Sequence, residues 1–564
     1  MHNALRPLSR DERAPSSMNS TFGILLVASL LFACSKAPDP SATTGQSAPP
    51  AGVAPVAATP PAASAASAAS KEQENAGIVW RKGDVDAAFA AAKAEGKPVF
   101  LYWGAKWCPP CNQVMATIFN RQDFIERSRH FVPVYVDGDA PNAQKEGARF
   151  KVSGYPTMVL FSSDGVEITR LPGEVDPDRY MQVLTEGMNG ARPVKATLTA
   201  ALGQGADRAR LSAGDWRMLA YYSWITDEQQ LASQKDLPTT LAKLAKACPA
   251  EQPETATRLE LQALAAASRA KAKPPAQLDA AATERLIVVL GDAKRARENF
   301  DLLANYAGNI AGHVAPAPSP QRSQLTTAWN AALDRFIADP AIGTDDRLVA
   351  VNAKIELARL DAPKGALPEP LLATVRKEAE RADKETTDVY ARQSVISGAA
   401  EVLAEAGLLD ESDALLKREL TRSHSPYYFM LGLAANAKKR GDKAAAVEWA
   451  EKAYAAAKGP ATRLQWGVSY LRSLIANAPD DTARIERVAG QVIGELEATP
   501  ETFYERNQRV LERMGKELAA WNKDKRHDAS VQRIRAGLMS VCAKLLQADP
   551  ARATCDGALS PRKA

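Results

Sequence analysis

Trp107-Cys108-Pro109-Pro110-Cys111 lies between an apolar run, Pro98 to Trp103, and a helix-like segment, and the fold turns on how it is read. Two cysteines in a C-x-x-C spacing at the start of a helix stand one turn apart, so their sulfurs close a small disulfide or open to a dithiol with little backbone movement. Cys108 is the expected nucleophile. At a helix N-terminus the unpaired backbone N–H groups and the positive end of the helix dipole favour thiolate over thiol. Pro109 and Pro110 suit a first helical turn, where an N–H has no intrahelical partner to lose. The competing reading, half of a zinc site, is short of ligands: His2, His130, His313, His424 and His527 are scattered, and no second C-x-x-C or H-x-x-x-H completes a tetrahedron. No metal is expected, and dithiol chemistry needs no organic cofactor.

Working outward, Asp84 can cap an alanine-rich helix that Gly96 stops, and Pro98-Val-Phe-Leu-Tyr-Trp103 reads as a buried strand feeding the cysteine loop. Phe131 to Asp137 reads as a second strand and Ala143 to Phe150 as a short helix. Thr157 to Phe161 and Val166 to Leu171 make a hairpin around Ser163-Asp164-Gly165, and Asp176 to Gly187 closes the unit as a helix. W-C-x-x-C after a buried strand, followed about forty residues later by Gly154-Tyr155-Pro156-Thr157 ahead of the hairpin, resembles the thioredoxin superfamily. The resemblance runs from about Gly77 to Gly190, a fifth of the chain.

That resemblance implies an α/β thioredoxin fold, a central mixed sheet flanked by helices. It assigns Cys108 as the attacking and Cys111 as the resolving cysteine, with Trp107 as the flanking aromatic and Pro109 and Pro110 as support. Pro156 matches the family's cis-proline, which lies against the disulfide, and the backbone of Tyr155 is then able to pair with a substrate strand. The stretch resembles periplasmic thioredoxin-like proteins, including the soluble carboxy-terminal domain of the membrane thiol:disulfide interchange reductase. It also departs from the family. Tyr102 stands where a buried Asp often lies below the cysteines, and Pro133 replaces the lysine that pairs with it. A proton acceptor for the resolving thiol is therefore missing or different. This argues against fast general protein reduction but leaves exchange intact, since the attack needs only a thiolate. The Pro-Pro pair also lacks the histidine of strongly oxidising relatives, so a reductase or electron relay is the expected direction.

At 564 residues the chain is too long for one compact domain, and its formal charge of +5 is small, with Lys and Arg interleaved among Asp and Glu. No nucleic-acid partner is expected. Phe22 to Ala33 is an apolar run too short to span a bilayer but right for a signal-peptide core, and it ends at Cys34. Leu31-Phe32-Ala33-Cys34 resembles a bacterial lipoprotein box, which makes Cys34 the lipidation site, although Phe32 is an uncommon residue there. Arg6, Arg10 and Arg13 precede the run, whereas a start at Met18 leaves no positive n-region. Ser35 after the cysteine resembles lipoproteins sorted to the outer rather than the inner membrane. Residues 1–34 are thus expected to be a signal peptide, and 35–76 a disordered Ala/Pro/Ser tether. Residues 77–190 are expected to be the thioredoxin-like domain. The expected location is periplasmic, held to the envelope by lipid alone.

Residues 191–564 lose the strand signals and read as a solenoid-like all-α region. Gly407 and Gly441, like Pro426 and Pro460, fall one 34-residue step apart, and Gly441 to Ala453 resembles the turn and second helix of a tetratricopeptide repeat, so about 386–478 is read as tetratricopeptide-like. Stacked helix pairs offer a concave surface for a partner. Trp216, Tyr221, Tyr222 and Trp224 are a candidate contact cluster, although aromatics at helical spacing are more often core. Of the remaining cysteines, Cys542 and Cys555 close a short loop through Asp549-Pro550 and are the candidate structural disulfide, worth roughly 3 kcal/mol on the chain-entropy model. Cys248 is left free, as a small buried apolar residue. Two function classes follow. One is an envelope thiol-disulfide oxidoreductase acting on protein disulfide or dithiol clients, with an upstream redox partner restoring the dithiol. The other is a helical-repeat adaptor whose thioredoxin head docks rather than turns over.

Overall fold

Val99–Gly104 (β2) is buried at every position, and this all-apolar run forms the middle of a five-stranded sheet. The computed structural model describes residues 77–559 apart from 153, 191, 229, 271–279, 316, 317, 364 and 497–499. The apolar run at Phe22 to Ala33, Cys34 and the tether lie outside the described residues. The strand order is β1-β3-β2-β4-β5, with β1 at Arg81–Lys82, β3 at Val132–Asp137, β4 at Thr157–Phe161 and β5 at Glu167–Leu171. β1 and β2 run parallel to β3, whereas β4 runs antiparallel to both β2 and β5. The sheet is therefore mixed.

Helix α1 (Val85–Glu95) is capped by the Asp84 carboxylate, which accepts from Ala87 N–H, and stops at Gly96 in the left-handed region. Helix α2 (Pro109–Val114) opens directly after β2 and passes into a π turn, Met115–Phe119. Helices α3 (Gln122–Arg127), α4 (Ala143–Phe150) and α5 (Pro177–Met188) complete the unit. Phe100, Phe119, Phe124 and Phe131 pack at ring-centroid distances of 4.9–6.0 Å between β2 and the α2–α3 segment. Each such ring contributes on the order of 1.5–3 kcal/mol by leaving water.

From Val194 onward every secondary-structure element among the described residues is a helix. The Gly407 and Gly441 turns are equivalent in geometry. Both glycines have positive φ, and both turns pair the N–H groups of the glycine and its successor with carbonyls of the last helical turn. Pro426 and Pro460 open the helices that follow. The 34-residue step thus corresponds to one antiparallel helix pair: Val389–Glu405 with Leu409–Glu419, then Pro426–Arg440 with Lys443–Ala456. Trp216, Tyr221, Tyr222 and Trp224 are all buried, and Tyr222 packs edge-on against Trp224, so they are core rather than a contact surface. Among the described residues no helix is long and apolar enough to cross a membrane.

Head and body share one continuous unit. On the β5 side the contact is made by Arg170, fully buried despite its charge. Its guanidinium donates to the carbonyls of Phe150, Lys151 and Thr226 and pairs with Glu167. A buried guanidinium with its donors satisfied in this way fixes the segment after α5 against the sheet.

Candidate functional site

β2 is buried and paired on both sides, and the loop leaving its C-terminal end places Cys108 at the N-cap of α2 with extended backbone, φ −73° and ψ 113°. Its Sγ accepts from the Cys111 N–H at 3.2 Å, and the two cysteines are joined as a disulfide with Cα atoms 5.2 Å apart. Pro109 and Pro110 occupy the first helical positions. Asn112 Nδ2 donates to the carbonyls of Lys106 and Cys108, both at 2.9 Å, which holds the loop closed over the helix start. The Tyr155–Pro156 peptide bond is cis, and the Tyr155 ring lies edge-on to Trp107 at 6.3 Å. Tyr102 stacks on Tyr135 at 5.1 Å and meets Phe119 edge-on, and burial pushes its phenol well above the ordinary range. An aromatic layer therefore occupies the place considered for a proton-accepting carboxylate.

The helical body covers this face. Cys108 is 0% exposed and Cys111 and Trp107 are each 2% exposed. Trp107 Nε1–H donates to Thr462 Oγ1 at 2.8 Å. Thr462 in turn donates its hydroxyl and its backbone N–H to the Asp139 carboxylate, at 2.6 and 2.8 Å. Asp139 belongs to the loop after β3, so the head supplies a capping carboxylate to the first turn of the body helix Pro460–Asn477. Gly459 permits this approach: its φ is +90°, and a Cβ there would stand 2.4 Å from the Asp139 carboxyl carbon. Burial pushes the Asp139 carboxyl up to about 6, against the lowering effect of the Thr462 hydrogen bonds.

Three other body helices also reach the loop. Gln393 Nε2 donates to the carbonyl of Trp107 at 3.2 Å, and Gln393 Oε1 accepts from Ser423. His424 Nε2 lies 2.9 Å from the Lys106 carbonyl, a contact that needs the proton on Nε2, and burial lowers the pKa of the ring. The Trp107 indole stacks on Tyr428 at 6.0 Å and meets Trp466 edge-on at 4.7 Å. The Arg506 guanidinium sits 5.5 Å from the Trp107 ring centroid and 4.9 Å from that of Tyr155, donating to Gln465 Oε1. Beneath α2, Gln113 Nε2 donates to Asp346 at 3.2 Å, and burial raises Asp346 to about 6 and its neighbour Asp345 to about 8.

Cys542 and Cys555 are joined as a disulfide with Cα atoms 5.6 Å apart, while Cys248 is a free, half-buried thiol. Among the described residues no group of three or more His, Cys, Asp or Glu is placed to hold a metal ion. Sequence reasoning missed Asp139, Gln393, Tyr428, Thr462, Trp466 and Arg506. Nothing local marks them, because their partners in the redox loop lie as far as 355 residues away.

A thioredoxin-like domain family matches residues 85–187. The chain is 30% identical over 107 residues to the thiol:disulfide interchange protein DsbD of Pseudomonas fluorescens and 31% identical over 107 residues to the thiol:disulfide interchange protein DsbD 2 of Pseudomonas aeruginosa. Each match covers 18% of this chain and 18% of the relative, so the chain spans under a fifth of the length of these curated relatives. Among solved structures, a thioredoxin from Thermus thermophilus is 26% identical, the match covering 20% of this chain and 91% of that one at a TM-score of 0.18. Residues 85–187 are a thioredoxin-like domain carrying a Cys108–Cys111 pair, and a large helical region follows it.

Proposed function

We propose that this chain is a cell-envelope thiol-disulfide oxidoreductase acting on protein disulfides through Cys108 and Cys111. The observation that carries the reading is Cys108 at the N-cap of α2, its Sγ accepting the Cys111 N–H and bonded to Cys111. A thiolate there is stabilised by the helix N-terminus and that N–H. In the reducing direction the Cys108 thiolate attacks one sulfur of a client disulfide, forming a mixed disulfide and releasing one client thiolate. Cys111 then attacks Cys108 Sγ, releasing the second client thiol and restoring the intramolecular disulfide. Two electrons pass to the client, and an upstream dithiol protein returns them. Cys34 would carry the lipid that holds the protein to the envelope, at the outer membrane.

The test is Cys111→Ser in the full chain. This variant is expected to accumulate reductant-sensitive mixed disulfides on Cys108, identifiable by mass spectrometry of intact envelopes, while Cys108→Ser traps little. If Cys111→Ser traps nothing and the purified wild type reduces no model disulfide, the enzyme reading falls. The complete burial of Cys108 beneath the helical body favours a second reading, an adaptor whose head is a docking element. That reading predicts envelope partners captured equally by wild type and by a variant lacking both cysteines.

A further inference from the structure

The covering of the redox loop has a specific architecture. Client attack requires a foreign sulfur to approach Cys108 Sγ in line with its own disulfide bond, and with Cys108 at 0% exposure no polypeptide can do so. The surface that blocks it comes from this same chain. Thr462 and Trp466 come from one body helix, Gln393 from a second, Tyr428 from a third and Arg506 from a fourth, and His424 comes from the loop before the third.

The polar part of this contact is a relay, Trp107 Nε1–H to Thr462 Oγ1–H to Asp139, with the Thr462 N–H closing on the same carboxylate. Gln393 and His424 bond to the backbone carbonyls of Trp107 and Lys106. Among the described residues no disulfide crosses the contact, since Cys108 pairs with Cys111 and Cys542 with Cys555. Individual hydrogen bonds and stacked rings of this sort are contacts that open and close locally within one folded unit.

We propose that the helical body is a lid on the redox site, latched by the Asp139–Thr462–Trp107 relay, and that the lid must open before either cysteine exchanges with another protein. The inference rests on the oxidoreductase reading for its purpose but not for its test. In the closed form the only disulfide Cys108 can hold is the intramolecular one. In the open form Trp107, the Tyr155–Pro156 loop and Cys108 form a free face on which a client disulfide can bond to Cys108 while releasing its other sulfur as a thiolate. Asp139 and Thr462 are positioning residues here, acting on the lid and not on sulfur.

The experiment uses the full-length protein, reduced, freed of reductant and alkylated with iodoacetamide at fixed pH, with Cys108 labelling followed by peptide mass spectrometry. Thr462→Val removes the hydroxyl from the relay at nearly constant shape, whereas Thr462→Ser keeps it. The Val variant is expected to label Cys108 at least tenfold faster than wild type, equivalent to about 1.4 kcal/mol of latch strength, and the Ser variant within about twofold. Gln393→Leu breaks the lid at a separate point and is expected to speed labelling as well, which covers the case in which Thr462→Val fails to fold. Folding is checked by the melting profile of each variant and by its Cys542–Cys555 disulfide-linked peptide, both read on the oxidised protein before reduction. Folded Thr462→Val and Gln393→Leu variants that both label at the wild-type rate would overturn the lid. Insulin reduction, measured in parallel, separates this outcome from the enzyme reading. Faster labelling with no reduction of insulin keeps the lid and removes the oxidoreductase, whereas unchanged labelling removes the lid whether or not insulin is reduced.

Discussion

Replacing Asp139 by Asn tests the head–body contact through its charge. Burial against the Pro460–Asn477 helix raises this carboxyl from 3.8 to about 6, with further influence from Asp137, while Tyr155, Tyr427 and Arg506 are the other titratable groups that feel its charge. A carboxyl whose folded value is raised binds its proton more tightly when folded. Its contribution is therefore fully present below the unfolded value and is lost as pH rises through about 6. At about 1.36 kcal/mol for each pH unit of separation, the full cost of ionising it in place is about 3 kcal/mol at neutral pH, of which about 1 to 1.5 kcal/mol accrues between pH 5 and 7.5. Asn keeps an oxygen for the Thr462 N–H and an N–H for the Thr462 hydroxyl, yet carries no charge. Urea unfolding of wild type and Asp139→Asn across that range should show the variant gaining on wild type by that amount as pH rises. Taking the difference between the two proteins cancels the other titrating groups, Asp345 and Asp346 among them. A difference that stays flat with pH, or that moves in favour of wild type, would refute the buried-carboxylate account.

Replacing Cys542 and Cys555 together by Ser opens a loop of sequence separation 13 and should cost about 3 kcal/mol in urea unfolding, with reductant giving the same loss in wild type. Arg258→Met should cost about 3 to 5 kcal/mol, because the bidentate bonds of Arg258 to Asp301 at 2.9 and 2.7 Å are buried and the carboxylate is left uncompensated. Adding Asp301→Leu should recover much of that loss by the same unfolding assay. Burial pushes the Cys248 thiol up to about 11, so at pH 8 iodoacetamide should modify it on the order of a hundredfold more slowly than an unperturbed thiol, a rate that quantitative peptide mapping reads directly.

What the sequence made legible was what local chemistry controls. Asp84 and Gly96 announced α1 because a side-chain cap and a left-handed C-terminus are written in single residues. The Ala143–Phe150 helix and the Thr157–Phe161 strand appear at the positions read from periodicity, and β5 starts one residue later than Val166. The edge strand Arg81–Lys82 was invisible, since two exposed residues carry no period, and so was the π turn at Met115–Phe119, which has no composition of its own. The cysteine loop was legible because a helix N-terminus, two prolines and two cysteines each constrain the same few residues. Its covering was not. The apolar and polar partners of Trp107 are scattered over four helices of the body, and a helix facing a core and a helix facing another unit carry the same amphipathic stripe. For the same reason Trp216 and Tyr222, read as a candidate contact cluster, lie in a core.

The burial of Cys108 also bears on the two function classes, because a lid makes them two populations of one molecule. If the open form has fractional population f, every bimolecular reaction of Cys108 is slowed by 1/f, so a lid favouring closure by about 2.7 kcal/mol leaves roughly one molecule in a hundred reactive. The hydrogen bonds present can reach that strength while Asp139 is protonated: the Trp107–Thr462, Thr462–Asp139 and Gln393–Trp107 bonds are worth about 1 kcal/mol each. Ionisation of Asp139 works against this in the neutral range, so closure is weaker there than below pH 5. A partner that bound the exposed Trp107 and Tyr155 rings, or that competed for the first turn of the Pro460–Asn477 helix, would raise f by its differential affinity for the open form and by nothing else. Selectivity for clients would then lie in what opens the body, and the dithiol itself would need little discrimination.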